Sequence, residues 1–110
     1  MKVRFYVTSS GRNLVEDFLH EQSDEAKADF VDAVSLLESG RMLAMPLSRN
    51  LASVRPGLHE LRLKDRRGQI RVFYFMKKGD AIYVLHAFRK KTHELPRREI
   101  EVALKRLRKV

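Results

Sequence analysis

Arginines and lysines sit where strands ought to be apolar. Leu58-His-Glu-Leu-Arg-Leu63 carries Arg62 inside its run, and Ile70-Arg-Val-Phe-Tyr-Phe75 carries Arg71. Leu85-His-Ala-Phe-Arg-Lys-Lys91 runs out into Arg89, Lys90 and Lys91. A strand that tolerates a cation in its apolar run must give that cation an outlet. Cations on adjacent strands would gather into a positively charged floor, a natural seat for a phosphate backbone. Thr92, His93 and Glu94 follow directly, ahead of Pro96.

Those residues need elements to hold them. The runs 58–64, 69–77 and 81–89 read as three strands of a meander. They are joined by Asp65-Arg66-Arg67-Gly68 and by Lys78-Gly79-Asp80, both rich in turn residues. Strand 69–77 is apolar on both faces, with Ile70, Val72, Tyr74 and Met76 on one side. Phe73 and Phe75 share the other side with Arg71, which marks a central strand covered twice. Strand 81–89 is expected to put Ile82, Val84, His86 and Phe88 on one face. Val3-Arg-Phe-Tyr-Val7 reads as a further, N-terminal strand.

Two helices fall between. Ser9 or Ser10 is expected to cap the first, which carries Leu14, Val15, Phe18 and Leu19 at helical spacing. Ser23 starts the second, whose stripe is Ala26, Phe30, Ala33, Val34 and Leu37 and whose stop is Gly40. Residues 41–57 read as a loop with a short turn. Pro96 opens a last helix over 97–109, apolar at Ile100, Ala103, Leu104 and Leu107 and basic elsewhere. The order β-α-α-β-β-β-α is an α+β fold, an antiparallel meander packed with helices, in one domain spanning 1–110.

Charge divides the chain. Residues 1–50 hold six Lys/Arg against eight Asp/Glu, a net of −2. Residues 51–110 hold seventeen against six, a net of +11. Clustered basic charge is the footprint of a nucleic-acid binder, and equally of a solvated face or a surface for an acidic protein. No apolar run approaches the ~20 residues of a membrane span. The start MKVRFYVTSS has no signal-peptide core. Cysteine is absent, and the four histidines show no metal-ligand spacing. The expectation is a cytoplasmic protein with no membrane association, no cofactor and no metal.

The ordered residues resemble a known family. Leu36-Leu37-Glu38-x-Gly40, Pro46-Leu47, Gly57-Leu58-x-Glu60-Leu61-Arg62 and Arg71-Val-Phe-Tyr-Phe75 come first. Leu85-His86-x-Phe88-x-Lys90-Lys91-Thr92, Pro96 and Glu99-Ile100-x-x-Ala103 follow. Over about residues 3–108 this resembles the RelE-like toxins of bacterial type II toxin–antitoxin modules, in their HigB branch, which includes phage-derived members. The three blocks around Arg62, Arg71 and Lys90 are the most specific.

The resemblance implies a RelE-like fold and a small metal-independent endoribonuclease, an mRNA interferase that blocks translation. It implies mRNA cleavage in the ribosomal A site. It also implies a silencing cognate antitoxin, often a helix-turn-helix DNA-binding protein in this branch.

RNA brings its own nucleophile, the 2′-hydroxyl, and without a metal the phosphorane charge must be met by cationic side chains. Arginine suits this because its fork grips two phosphate oxygens. Arg62, Arg71, Lys90 and Lys91 are the candidates, with His93 as general acid or base, since histidine titrates near ~6.5. Thr92 and Arg89 are candidate RNA contacts, and Tyr74 and Phe88 candidate base-stacking rings. Glu94 is a further candidate, for orienting a cation or serving as base. Each has a plainer reading. Arg62 pairs with a carboxylate, the lysines are solvated, Tyr74 and Phe88 are core, His86 is a satisfied core histidine, and Glu60 makes a structural ion pair. The alternative functions are a non-catalytic RNA- or DNA-binding module on the same fold, and a domain that docks on an acidic protein.

Overall fold

The computed structural model describes residues 1–77, 81–94 and 96–110. Strand β1 (Lys2–Phe5) leads into helices α1 (Leu14–His20) and α2 (Asp24–Glu38). Strands β2 (Ser48–Asn50), β3 (Leu58–Asp65), β4 (Gly68–Met76) and β5 (Ala81–Lys90) follow, and α3 (Arg97–Leu107) ends the chain. The five strands form one mixed sheet in the order β1-β5-β4-β3-β2. The predicted meander is its centre, antiparallel β3-β4-β5, and β1 runs parallel to β5 at one edge. The fold class is α+β, as the sequence implied.

Helix boundaries follow local chemistry. Ser23 caps α2 by accepting from the Ala26 amide. At the other end Gly40 takes φ 87°, its amide reaching the Leu37 carbonyl while that of Arg41 reaches Leu36. This is the left-handed stop that glycine supplies without a Cβ clash. Helix α1 differs from expectation. Its cap is Asn13, which accepts from the Glu16 amide, whereas Ser9 and Ser10 lie outside the helix in a turn closed by Gly11. Asparagine is as good a cap as serine, and the turn spends the serines.

Both sheet faces are covered, by different layers. Helices α1 and α2 bury Val15, Leu19, Ala26, Phe30, Ala33 and Leu37 against Leu61, Leu63, Ile70, Val72, Ile82 and Val84. On the reverse, α3 lays Ile100, Ala103, Leu104 and Leu107 over Leu58, Phe73, Leu85 and Phe88. Phe73, Ile70 and Leu85 are fully buried, each contributing roughly 1.5–3 kcal/mol by leaving water.

Two expectations need correction. The stretch 41–57 is not all loop. Ser48–Asn50 pairs with β3, and the Ser48 hydroxyl shares a 2.6 Å hydrogen bond with the buried Tyr74 hydroxyl. Three residues of Ser-Arg-Asn carry no strand signal, so only pairing with β3 makes them one. The second correction is in β5. Phe73 pairs with His86 and Tyr74 with Val84, so Leu85 is an extra residue, a β-bulge. Alternation therefore breaks there: Ile82 and Val84 face α1 and α2, while His86 and Phe88 face α3. The Asp65–Gly68 hairpin is as read, with both end residues absorbed into the strands. The Lys78-Gly79-Asp80 connection lies outside the described residues.

Candidate functional site

Helix α3 covers only part of its sheet face. Where it stops, the cross-strand rows turn cationic. Arg62 on β3 lies opposite Arg71 on β4, and Arg71 lies opposite Phe88 on β5. The next row is Lys64, Gln69 and Lys90, and the row behind is Arg49, Glu60 and Phe73. Period-2 alternation puts all of these on one side of the sheet. Arg62 is half-buried and Arg71 is 3% exposed.

Like charges facing one another across strands repel, and Glu60 is the counter-charge. It is fully buried, with Oε1 3.7 Å from Arg62 Nε and 3.8 Å from Arg71 Nε. Those are charge contacts, too long for hydrogen bonds. Among the described residues neither Glu60 oxygen nor Arg71 Nε has a hydrogen-bond partner. The rest of the Arg71 guanidinium is held: Nη1 donates to the Ile70 carbonyl at 3.3 Å and Nη2 to Gln69 Oε1. An orphaned buried donor costs about 1–3 kcal/mol, more when charged. Each such group in a folded protein calls for an explanation, be it strain, a water or ion, or a chemical role.

The electrostatics agree with the geometry. Burial, then repulsion from Arg62, pushes Arg71 below the usual arginine value, with Glu60 opposing. Lys90 is also lowered, first by burial and next by Arg71, with Arg62 and Arg49 adding and Glu60 opposing. A lysine so placed gives up its proton more readily than a free one. An open cleft of about 380 Å³ runs along the floor, lined by Pro46, Leu47, Arg62, Leu63, Lys64, Gln69 and Arg71. A larger cavity of about 520 Å³ lies at the other end of α3, among Phe75, Tyr83, Leu104 and Leu107. It also has cations on its rim, Arg55, Lys77 and Arg108, but includes neither Glu60 nor Arg71.

The sequence candidates divide sharply. Arg62, Arg71 and Lys90 come together. Lys91, Thr92, His93 and Glu94 are exposed on the segment leaving β5 beside Lys90, where Thr92 Oγ1 donates to the Glu94 carbonyl. His93 makes no hydrogen bond or ion pair among the described residues. Phe88 is on the right face but 7% exposed, wedged against Phe73 (5.4 Å between centroids) and His86 (5.5 Å). It walls the floor off from the core under α3.

Tyr74 and Arg89 do not belong to the floor. Tyr74 is on the opposite face, 2% exposed, stacked on His59 at 5.1 Å and bonded to Ser48. Burial removes it as a stacking platform, and as a proton source too, because desolvation raises its pKa. Arg89 is likewise on the α1–α2 side. It donates to both Asp65 oxygens at 3.0 and 2.8 Å and through Nε to Gln22 at 3.1 Å. Its role is to tie the α1–α2 turn to the end of the sheet.

Sequence reasoning missed Lys64, Gln69 and Arg49. Lys64 was legible, because Glu60, Arg62 and Lys64 alternate with Leu61 and Leu63. Arg49 was not, since it needs β2. The plain reading of His86 holds. It is half-buried, with Nε2 2.8 Å from Glu99 and Nδ1 3.3 Å from Arg106 Nη1. A guanidinium only donates, so Nδ1 accepts and Nε2 carries the proton toward Glu99.

A mixed five-stranded sheet with a helical hairpin on one face, and one helix plus a cation floor on the other, is the RelE-like arrangement. A family model matches residues 17–108, and the chain belongs to that family, the phage-derived Gp49-like proteins (DUF891). The family is part of the RelE/ParE-like toxin superfamily, consistent with the toxin of a toxin–antitoxin pair. No curated protein matches the chain. Among the described residues, no helix is long and apolar enough to cross a membrane.

Proposed function

We propose that this chain is the toxin of a type II toxin–antitoxin module, in the HigB branch, and a metal-independent endoribonuclease. Its substrate is mRNA in the ribosomal A site, and its regulator is a cognate antitoxin of the helix-turn-helix DNA-binding kind. The site of action is the cytoplasm. The observation that carries the reading is the orphaned Arg71 Nε beside Arg62 on the neighbouring strand. It is a buried cationic donor in a floor that wants an anion, in a chain of a toxin superfamily.

The chemistry follows from the layout. The 2′-oxygen attacks the adjacent phosphorus, the bond from phosphorus to the 5′-oxygen breaks, and the departing 5′-oxygen takes a proton. Products are a 2′,3′-cyclic phosphate and a 5′-hydroxyl. Arg62 and Lys90 grip the non-bridging oxygens, and Arg71 supports their charge from below as it builds. Lys91 draws the neighbouring phosphate, and Thr92 offers a hydroxyl to the backbone. His93, exposed at the rim, exchanges the protons.

The test is tightly controlled induction of wild type and Arg62→Ala, with growth followed and mRNA ends mapped. Arrest with new in-frame cuts for wild type alone is expected. Folded wild-type protein with normal growth and intact mRNA would overturn the nuclease reading in favour of a binding module.

A further inference from the structure

The segment between α2 and β2 lies beside the cation floor and has an unusual distribution of side chains. Leu43 and Leu47 turn inward and pack on the α1–α2 core. Met42 and Met45 turn outward and are 69% and 55% exposed. The segment is pinned at its far end, where the Arg62 amide donates to the Leu47 carbonyl at 2.7 Å and Ser48 enters the sheet. Two apolar side chains are thus held in water by anchors that bury their neighbours. Met45 is also aimed: its Sδ lies 3.4 Å from Arg62 Nη1. Pro46 and Leu47 line the same cleft as Arg62 and Arg71.

We infer that Met45, with Pro46 behind it, is the subsite for a nucleobase next to the phosphate held on Arg62 and Arg71. This deepens the nuclease reading and rests on it. Single-stranded RNA alternates phosphates with flat apolar faces, so a phosphate-gripping floor needs an apolar surface at its side. Aromatic rings usually provide one, but here Tyr74 and Phe88 are 2% and 7% exposed. Met45 is on the surface, unbranched and polarizable, and a thioether packs well on an aromatic ring while tolerating any base. The contact with Arg62 couples the two halves of the subsite. When the guanidinium turns to a phosphate it leaves the sulfur, and the thioether is free to lie on the base. The occupant is the base of a nucleotide in a single strand, because a base inside a duplex is stacked on both faces.

The experiment uses the full chain and a short 2′-O-methyl RNA strand, which cannot supply the nucleophile, beside an abasic strand of equal length and charge. Binding of each is measured by fluorescence anisotropy for wild type, Met45→Ala and Met45→Leu. The wild type is expected to prefer the base-bearing strand by about 2- to 10-fold. Met45→Ala should erase most of that preference while leaving abasic affinity unchanged, and Met45→Leu should keep most of it. Equal preference in wild type and Met45→Ala would overturn the subsite, as would a loss that is the same on both strands. If wild type bound neither strand, the phosphate floor itself would fall, and the subsite with it.

Discussion

The two faces of this sheet each hold an arginine, and they treat it in opposite ways. On the helical-hairpin side, Arg89 is enclosed by acceptors. Asp65 takes two hydrogen bonds and Gln22 a third, and Ser23 donates to the same carboxylate at 2.7 Å. The hydrogen bond to Asp65 raises the Arg89 pKa, and Arg89 followed by Ser23 drives the Asp65 carboxyl well below its usual range. On the α3 side, Arg71 has a carboxylate at 3.8 Å and a second arginine opposite, one donor unmet and both Glu60 oxygens unmet. Burial lowers its pKa. One face satisfies its polar groups within the fold, while the other leaves a buried donor and both oxygens of a buried carboxylate unmet among the described residues. A fully satisfied polar network rigidifies structure, and the α3 side departs from that rule.

The contrast breaks first at the level of activity. Arg62→Ala removes a half-exposed charge donor, so mRNA cleavage is expected to fall about 100-fold or more, with thermal stability nearly unchanged. Quantifying cut ends in induced cells beside a melting curve reads both. If stability fell as much as cleavage, the open face would be structural after all.

Next in size is the satisfied side. Arg89→Met leaves Asp65 without its bidentate partner and frees the α1–α2 turn, so the denaturant unfolding midpoint is expected to fall clearly below that of wild type. No change there would remove the distinction between the faces.

A sharper comparison replaces both members of the orphaned pair. Glu60→Leu with Arg71→Met exchanges two poorly bonded charges for apolar groups, and the stability change is expected to stay within about 1 kcal/mol of zero. RNA binding by that variant should be lost. The matching double change at Asp65 and Arg89 should destabilise, because Ser23, Gln22 and the Arg67 amide lose partners.

The smallest effect is a pH slope to which both faces contribute. Burial depresses the His59 pKa on the hairpin side. It depresses His86 on the α3 side too, where the Glu99 hydrogen bond opposes and Arg106 reinforces the shift. A histidine whose folded value is depressed binds its proton more readily unfolded. Stability is therefore full above the unfolded value of ~6.5 and falls as pH drops below it. Unfolding midpoints from pH 7 to pH 5 should decline, and His86→Gln should flatten part of the slope. A flat wild-type profile would refute the assignment.

Much of this was legible in the chain. Helical spacing in 26–37 and 100–107 gave both buried stripes, because periodicity is local and each residue votes independently. The double-sided apolar run of 69–77 gave the central strand, and Arg71 was placed correctly on the Phe73 face for the same reason. Arg62 followed from the same alternation, whereas Lys90, which lies beyond the bulge, did not.

What the sequence could not determine was which face each residue reached once the register shifted. A single extra residue at Leu85 reverses every side chain after it. Unbroken alternation from Tyr83 would carry Arg89 to the face of Arg71 and Phe88 to the hairpin side. The bulge exchanges them, so Arg89 meets Asp65 and Phe88 walls the floor. Residue types and local periods determined the helices, the strands and the supply of cations. The pairing of β5 against β4, and of Ser48–Asn50 against β3, decided which cations met a hydrogen-bonded carboxylate and which gathered on the opposite face. Strand register is a non-local choice between whole faces, made by packing against two different helical layers, and no short window of sequence encodes it.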